Sequence, residues 1–188
     1  ALEDCYAVTC WASENSAELG ALSSPVSVGG DSAGGNLAAS VCLLARDRAG
    51  PNIAMQLLIY PVTDATMESA SYRDNADGYL LSRKMMAWFW DHYCPDPAQR
   101  SDPLASPIRA ADLSGLPPAL VMTAEFDPLR DEGEAYAERL KAAGVAVQVR
   151  RFDGLIHGFF SQAGMIEAAR EGVDLAVKAL REAHKISG

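Results

Sequence analysis

Residues 29–35 read Gly-Gly-Asp-Ser-Ala-Gly-Gly, directly after the apolar run Pro25-Val26-Ser27-Val28 and directly before Leu37, Val41 and Leu44 at helical spacing. No other stretch narrows the available folds so far. Glycine loses more conformational freedom on ordering than any other residue, so glycines packed between two ordered segments imply a backbone path that side chains would block. A linker does not sit between a buried strand and an amphipathic helix. A tight strand-to-helix bend does, with Ser32 at its apex and glycines two residues before and after it, where side chains would meet neighbouring backbone.

The rest of the chain extends the strand-and-helix pattern. Ala1, Cys5, Val8 and Ala12 predict a helix from residue 1 to about 19. The helix that begins at Ala33 should stop at Gly50-Pro51, where glycine closes a helix and proline forbids its continuation. Residues 53–60 form a nearly continuous apolar run, as in a strand covered on both faces, and 119–124 form a second. A helix follows over about 129–143, ending at Gly144. Val145, Val147 and Val149 alternate with Ala146, Gln148 and Arg150, which predicts a half-exposed strand at 145–152 near the sheet edge. The closing helix carries Val173, Ala176, Val177 and Leu180 on one face. Strands separated by helices need crossover connections, so the expected class is α/β: a parallel sheet of about four strands with helices on both faces. The whole of 1–188 reads as one domain. A long excursion at about 62–118 interrupts it, with an aromatic helix around 85–93, and is expected to lie over one end of the sheet.

With 188 residues and 49% apolar content the chain can bury one substantial core. Its 16 basic residues are scattered among 25 acidic ones for a net charge of −9, so neither nucleic acid nor an anionic membrane is an expected partner. No apolar stretch reaches membrane-spanning length. Cys5, Cys10, Cys42 and Cys94 form no Cys-x-x-Cys pair and have no histidine at zinc-finger spacing, so no metal is expected. As free thiols they suit a cytoplasmic setting.

In an open parallel sheet the ligand site lies outside the carboxyl ends of the strands. Here those ends lead into Ser32, into Asp127, and into the loop that carries His157. A serine hydroxyl needs a base to accept its proton and a carboxylate to orient that base. Of the three histidines, His92 lies in the aromatic run Trp-Phe-Trp-Asp-His-Tyr and His184 in the last turn of the final helix, both structural settings. His157, flanked by glycine in a loop after the last strand, is the candidate base. Asp127 is better placed than Asp131, on the following helix, and Asp153 is held in reserve because it too follows a strand. The bend also leaves the Ala33 backbone N–H at a helix N-terminus, free to donate to a developing oxyanion.

Three stretches, Gly-Asp-Ser-Ala-Gly-Gly-Asn-Leu-Ala at 30–38, Glu-Phe-Asp-Pro-Leu-Arg-Asp-Glu-Gly at 125–133 and Ile-His-Gly-Phe at 156–159, resemble the bacterial hormone-sensitive-lipase-like esterases of the α/β-hydrolase fold. Tyr60-Pro61 and Asp102-Pro-Leu-Ala-Ser-Pro107 extend the likeness. The resemblance implies hydrolysis of a small-molecule carboxylic ester through an acyl-serine intermediate, without a cofactor. Ser32 would be the nucleophile, His157 the general acid and base, and Asp127 the orienting carboxylate. Leu129, Ile156, Phe159, Phe160 and Trp88 are candidates for the acyl or alcohol pocket, each equally suited to plain core. Members of that family carry a His-Gly-Gly-Gly motif upstream of the nucleophile, and these residues contain none. The expectation is therefore the C-terminal portion of a larger enzyme, weak or inert alone, with N-terminal strands and cap missing and the Ser32 strand short of one neighbour. The 145–152 strand resembles the family's dimerising edge, which implies a homodimer. Two other readings stay open, a complete small thioesterase or amidase and a non-catalytic protein of the same fold that binds a small ligand.

Overall fold

The computed structural model of the chain describes residues 1–21 and 25–186. Among these, four strands form one parallel sheet in the order of the sequence: β1 (Val26–Asp31), β2 (Ile53–Ile59), β3 (Ala119–Phe126) and β4 (Val147–Ile156). Six helices accompany it: α1 (Leu2–Glu14), α2 (Ala33–Asp47), α3 (Ala70–Asp74), α4 (Arg83–Tyr93), α5 (Arg130–Ala142) and α6 (Glu167–Ala183).

The inner strands β2 and β3 are buried nearly throughout, as their unbroken apolar runs require. One sheet face packs Leu58 and Val121 against Val41 of α2 and Tyr136 and Leu140 of α5. The other packs Met55, Leu120, Met122 and Phe152 under Ala169 and Ala176 of α6 and Phe159 of the turn before it. Each fully buried Leu or Phe contributes about 1.5–3 kcal/mol from leaving water, so these two clusters hold the sheet between its helices. β1 is an edge strand among the described residues, as expected, and is only half covered.

Several boundaries differ from the sequence reading, each for a physical reason. The first helix stops at Glu14 rather than 19, since it buries no residue fully and packs on the core only through Leu2, Cys5 and Tyr6 of its first turns. At the end of α2 the left-handed position is taken by Ala49 (φ 49°), not by Gly50. Gly50 is needed for a different reason: a Cβ there would lie 2.3 Å from the Tyr6 hydroxyl, where α1 crosses the helix end. The last strand spans 147–156 instead of 145–152. Val145 instead closes α5, its N–H donating to the Leu140 carbonyl at 3.0 Å while the Gly144 N–H donates to Lys141 at 2.9 Å. The strand then runs past Phe152 through a bulge of its own: Asp153, Gly154 (φ 77°) and Leu155 lie opposite the single residue Glu125, and pairing resumes between Phe126 and Ile156.

The excursion after β2 is more than loop and one helix. It adds the short α3 and builds a small core of its own, with Val62, Tyr72, Leu81, Met86 and Trp90 packed around Leu129. Ser82 caps α4 by accepting the Met85 N–H at 3.2 Å, which starts that helix two residues before the predicted point. No helix among the described residues is long and apolar enough to cross a membrane.

Candidate active site

At the end of β1 the chain turns through Ser32 with φ 55°, a conformation that costs a non-glycine residue about 1–3 kcal/mol and persists only where its surroundings enforce it. Three hydrogen bonds do so. The Ser32 N–H donates to the Ile59 carbonyl at 2.9 Å, and its own carbonyl accepts the N–H groups of Asn36 at 3.1 Å and Val62 at 3.3 Å. Gly30 makes the bend sterically possible, since a Cβ there would lie 2.4 Å from the Gly34 carbonyl carbon. The matching argument for Gly34 is corrected by the structure. A Cβ at Gly34 meets nothing within 4 Å, and the close approach falls one residue later, at Gly35, 2.9 Å from Pro61 Cβ.

The bend presents Ser32 Oγ 2.9 Å from Nε2 of His157, in the loop that follows β4. His157 Nδ1 lies 2.7 Å from Oδ2 of Asp127, just beyond the end of β3. An ionised carboxylate has no proton to give, so Nδ1 carries the hydrogen and donates it, which leaves Nε2 as the acceptor facing the serine hydroxyl. The second carboxylate oxygen of Asp127 accepts the Leu129 N–H at 2.9 Å, and the residue is wholly buried. The Tyr60 ring packs 4.5 Å from the imidazole, on the side away from solvent. Ala33 is the first residue of α2, so its N–H has no partner within the helix.

The other candidates separate clearly. Asp153 lies within β4 with its side chain exposed, because the strand runs on through it, and this removes the reserve assignment. Asp131 faces α3: its carboxylate takes the Ser71 N–H at 2.7 Å and Arg130 Nε at 2.9 Å. Partial burial pushes that carboxyl up, but these donors outweigh it and hold it below the ordinary range. Leu129 and Phe159 are fully buried core residues, while Ile156 and Phe160 are half-buried beside the His157 loop. Trp88 is 57% exposed and packs on Phe89 and His92. His184 caps α6 and bonds to Ser27 Oγ of β1 at 2.8 Å.

An apolar cavity of about 280 Å³ opens beside Ala33, walled by Val62 and by Met86, Phe89, Trp90 and Tyr93 of α4. Trp88 is not part of it. The signal was present in the sequence, because positions 86, 89, 90 and 93 share one helical face and 88 points away from them.

A sequence profile described as alpha/beta hydrolase fold matches residues 1–161. The chain belongs to that family. This α/β hydrolase is 46% identical to the carboxylic ester hydrolase LipN of Mycobacterium tuberculosis over 187 residues, 96% of this chain and 50% of the relative. It is 41% identical to an ethyl acetate hydrolase of Pseudomonas putida over 92% of this chain and 54% of that one. Among solved structures, the thermophilic carboxylesterase EstE1, cloned from a metagenomic library, superposes with a TM-score of 0.93 at 43% identity, covering 97% of this chain and 63% of that one. The chain thus spans about half the length of the curated relatives it matches.

One ionisable group of this hydrolase lies close behind the site. Glu132 is buried on α5, and its Oε1 accepts the N–H groups of Thr63 at 2.7 Å and Asp64 at 3.2 Å. Burial dominates those bonds and pushes the carboxyl well above the ordinary value of 4.5. The folded state therefore holds this proton more tightly than the unfolded chain. The stabilisation is complete below 4.5 and is lost as pH rises from there toward the folded-state value. Glu132→Gln, which keeps an acceptor oxygen but cannot ionise, is expected to flatten the decline in melting temperature between pH 5 and pH 8. Parallel declines in variant and parent, measured by thermal unfolding in matched buffers, would contradict this.

Proposed function

We propose that this chain carries the catalytic centre of a serine carboxylesterase acting on small acyl esters. The reading rests on one observation above the others, the unbroken line from Ser32 Oγ through the imidazole to the Asp127 carboxylate, at 2.9 and 2.7 Å. The esterase names of relatives at 41–46% identity support it.

In this mechanism His157 Nε2 takes the proton of Ser32 as Oγ attacks the ester carbonyl carbon. Asp127 keeps the imidazole in the accepting tautomer and stabilises the imidazolium that forms. The carbonyl oxygen becomes an oxyanion, and the Ala33 N–H at the start of α2 donates to it where the helix dipole also favours negative charge. Collapse of the tetrahedral intermediate breaks the bond to the alkoxy oxygen, which leaves with the proton from His157 as an alcohol. Water, deprotonated by the same imidazole, then releases the acid and restores the serine. The apolar cavity beside Ala33 offers an acyl or alcohol group a dry wall next to the reacting carbon. Ethyl acetate, the substrate in one relative's name, supports a preference for short acyl groups.

Ser32→Ala is expected to abolish labelling by a fluorophosphonate probe and to reduce p-nitrophenyl acetate hydrolysis, weak in a chain that spans about half of its relatives, to the uncatalysed background. Labelling that persists in this variant would remove the mechanism. Acetyl and butyryl esters should be turned over faster than palmitoyl esters. A homodimer through the β4 edge belongs to the same reading, supported by the exposed alternate residues of that strand, and sedimentation velocity on the chain tests it. So does a cytoplasmic setting, supported by four cysteines that are all free.

A further inference from the structure

The turn that carries Asp127 has left the β3 ladder and has not yet entered α5, and it is buried, so its backbone groups need partners that neither ladder supplies. The turn supplies one itself, the Arg130 N–H donating to the Asp127 carbonyl at 3.2 Å, and the side chains of Ser71 on the short α3 and of Asn75 at its C-cap supply the others. Asn75 Nδ2 donates to the Asp127 carbonyl at 3.3 Å. Ser71 Oγ donates to the Pro128 carbonyl at 2.6 Å and accepts the Asp131 N–H at 3.2 Å, while the Ser71 N–H donates to Asp131 Oδ2 at 2.7 Å. Ser71 is fully buried and Asn75 is 4% exposed, so bulk water does not compete for either contact. The same excursion is bonded to the serine bend. The Val62 N–H reaches the Ser32 carbonyl, and Asn36 Nδ2 donates to the Val62 carbonyl at 2.9 Å. The segment after β2 thus connects the backbone at Ser32 to the backbone at Asp127.

We propose that Ser71 and Asn75 are positioning residues that set the Asp127 carboxylate against His157, a proposal resting on the esterase reading. Their carbonyl contacts fix the peptide planes on both sides of Pro128. Without them the turn is held only by its own bonds, from the Arg130 N–H to the Asp127 carbonyl and from the Leu129 N–H to the carboxylate, and a shift of a few tenths of an ångström takes the 2.7 Å contact of Asp127 with Nδ1 toward the limit of a strong hydrogen bond. Neither side chain touches substrate. Each acts through the carboxylate.

The test compares Ser71→Ala, Asn75→Ala and Ser71→Thr in the full chain with Met55→Ala, which opens a cavity in the core at the opposite end of β2 and serves as a stability control. Steady-state kinetics, the pH profile of kcat/KM and the downfield NMR resonance of the His157 Nδ1 proton are recorded for each. Ser71→Ala is expected to lower kcat on the order of 10- to 100-fold with KM changed less than about 2-fold, since geometry and not binding is lost. The acid limb of its kcat/KM profile departs from the parent's, and the downfield resonance broadens or disappears as the contact at Nδ1 lengthens. Asn75→Ala moves the same readouts by less, and Ser71→Thr, which keeps the hydroxyl, recovers most of the rate. Met55→Ala lowers the melting temperature but leaves the acid limb and the resonance in place.

Parental kcat, acid limb and resonance in both alanine variants would overturn the proposal, as would losses that match those of Met55→Ala. Should Ser71→Ala fail to fold, Asn75→Ala decides. A parent chain whose Ser32 takes no fluorophosphonate label would sink the esterase reading, while the resonance, which needs no turnover, still decides the positioning role.

Discussion

Asp127→Asn is expected to leave the fold intact and to take ester hydrolysis down toward the background left by Ser32→Ala, a loss of up to about ten-thousand-fold. An amide at this position can turn its NH2 group toward Nδ1, and the imidazole then carries its hydrogen on Nε2. Ser32 Oγ, 2.9 Å away, would face a donor in place of an acceptor and keep its proton. Shape and volume barely change, so the loss belongs to the tautomer and not to packing. Hydrolysis of p-nitrophenyl acetate, measured beside far-ultraviolet circular dichroism and thermal unfolding, separates the two. A folded Asn variant within about tenfold of the parent rate would show that the carboxylate is not the orienting group.

Gly30→Ala carries the second large effect, and it strikes fold and activity together. The added carbon would lie 2.4, 2.5 and 2.8 Å from the backbone carbon, oxygen and Cα of Gly34. Backbone has no rotamer with which to escape, so either β1 or the first turn of α2 must shift. Overpacking of this kind costs about 1–3 kcal/mol, and movement of Ser32 by about 1 Å costs on the order of a further hundredfold in rate. Gly34→Ala is the matched control. Its added carbon meets nothing within 4 Å, and alanine suits a helix better than glycine by about 0.5–1 kcal/mol. Melting temperatures of the two variants of this 188-residue chain should therefore move in opposite directions or differ by several degrees. Equal behaviour would mean that the bend owes nothing to the closeness of residues 30 and 34.

The sheet was readable because burial leaves a plain mark. Unbroken apolar runs at 53–60 and 119–124 became β2 and β3 within a residue or two. The end of β4 was harder, because Asp153-Gly154 looks like a turn. The turn-like residues form a bulge inside β4, three of them facing Glu125 alone with Gly154 at φ 77°, and the strand resumes only because Ile156 finds Phe126 of β3, a long-range pairing that no local pattern records. Ser32, Asp127 and His157 could be picked out together since the topology sends three strand ends to one rim, and the structure brings their side chains into contact. The supports behind them were not legible. Ser71 belongs to a helix of five residues, too short to show a period, Asn75 only caps its end, and their partners lie 57 and 52 residues further along the chain. Tyr60 gave no sign either, since its contact with His157 depends on a positive φ that an aromatic residue rarely adopts.

Ser32 hangs from one outer strand of the described sheet, and His157 follows the other. A slip of one residue in any of the three strand pairings between them would carry the hydroxyl about 3.3 Å from its acceptor, farther than a proton can pass. Competence in ester cleavage is then a report on alignment across the full width of the sheet, summed over three independent registers. A refolding or mutational screen scored by hydrolysis alone would reject every misaligned chain, including those that spectroscopy counts as native.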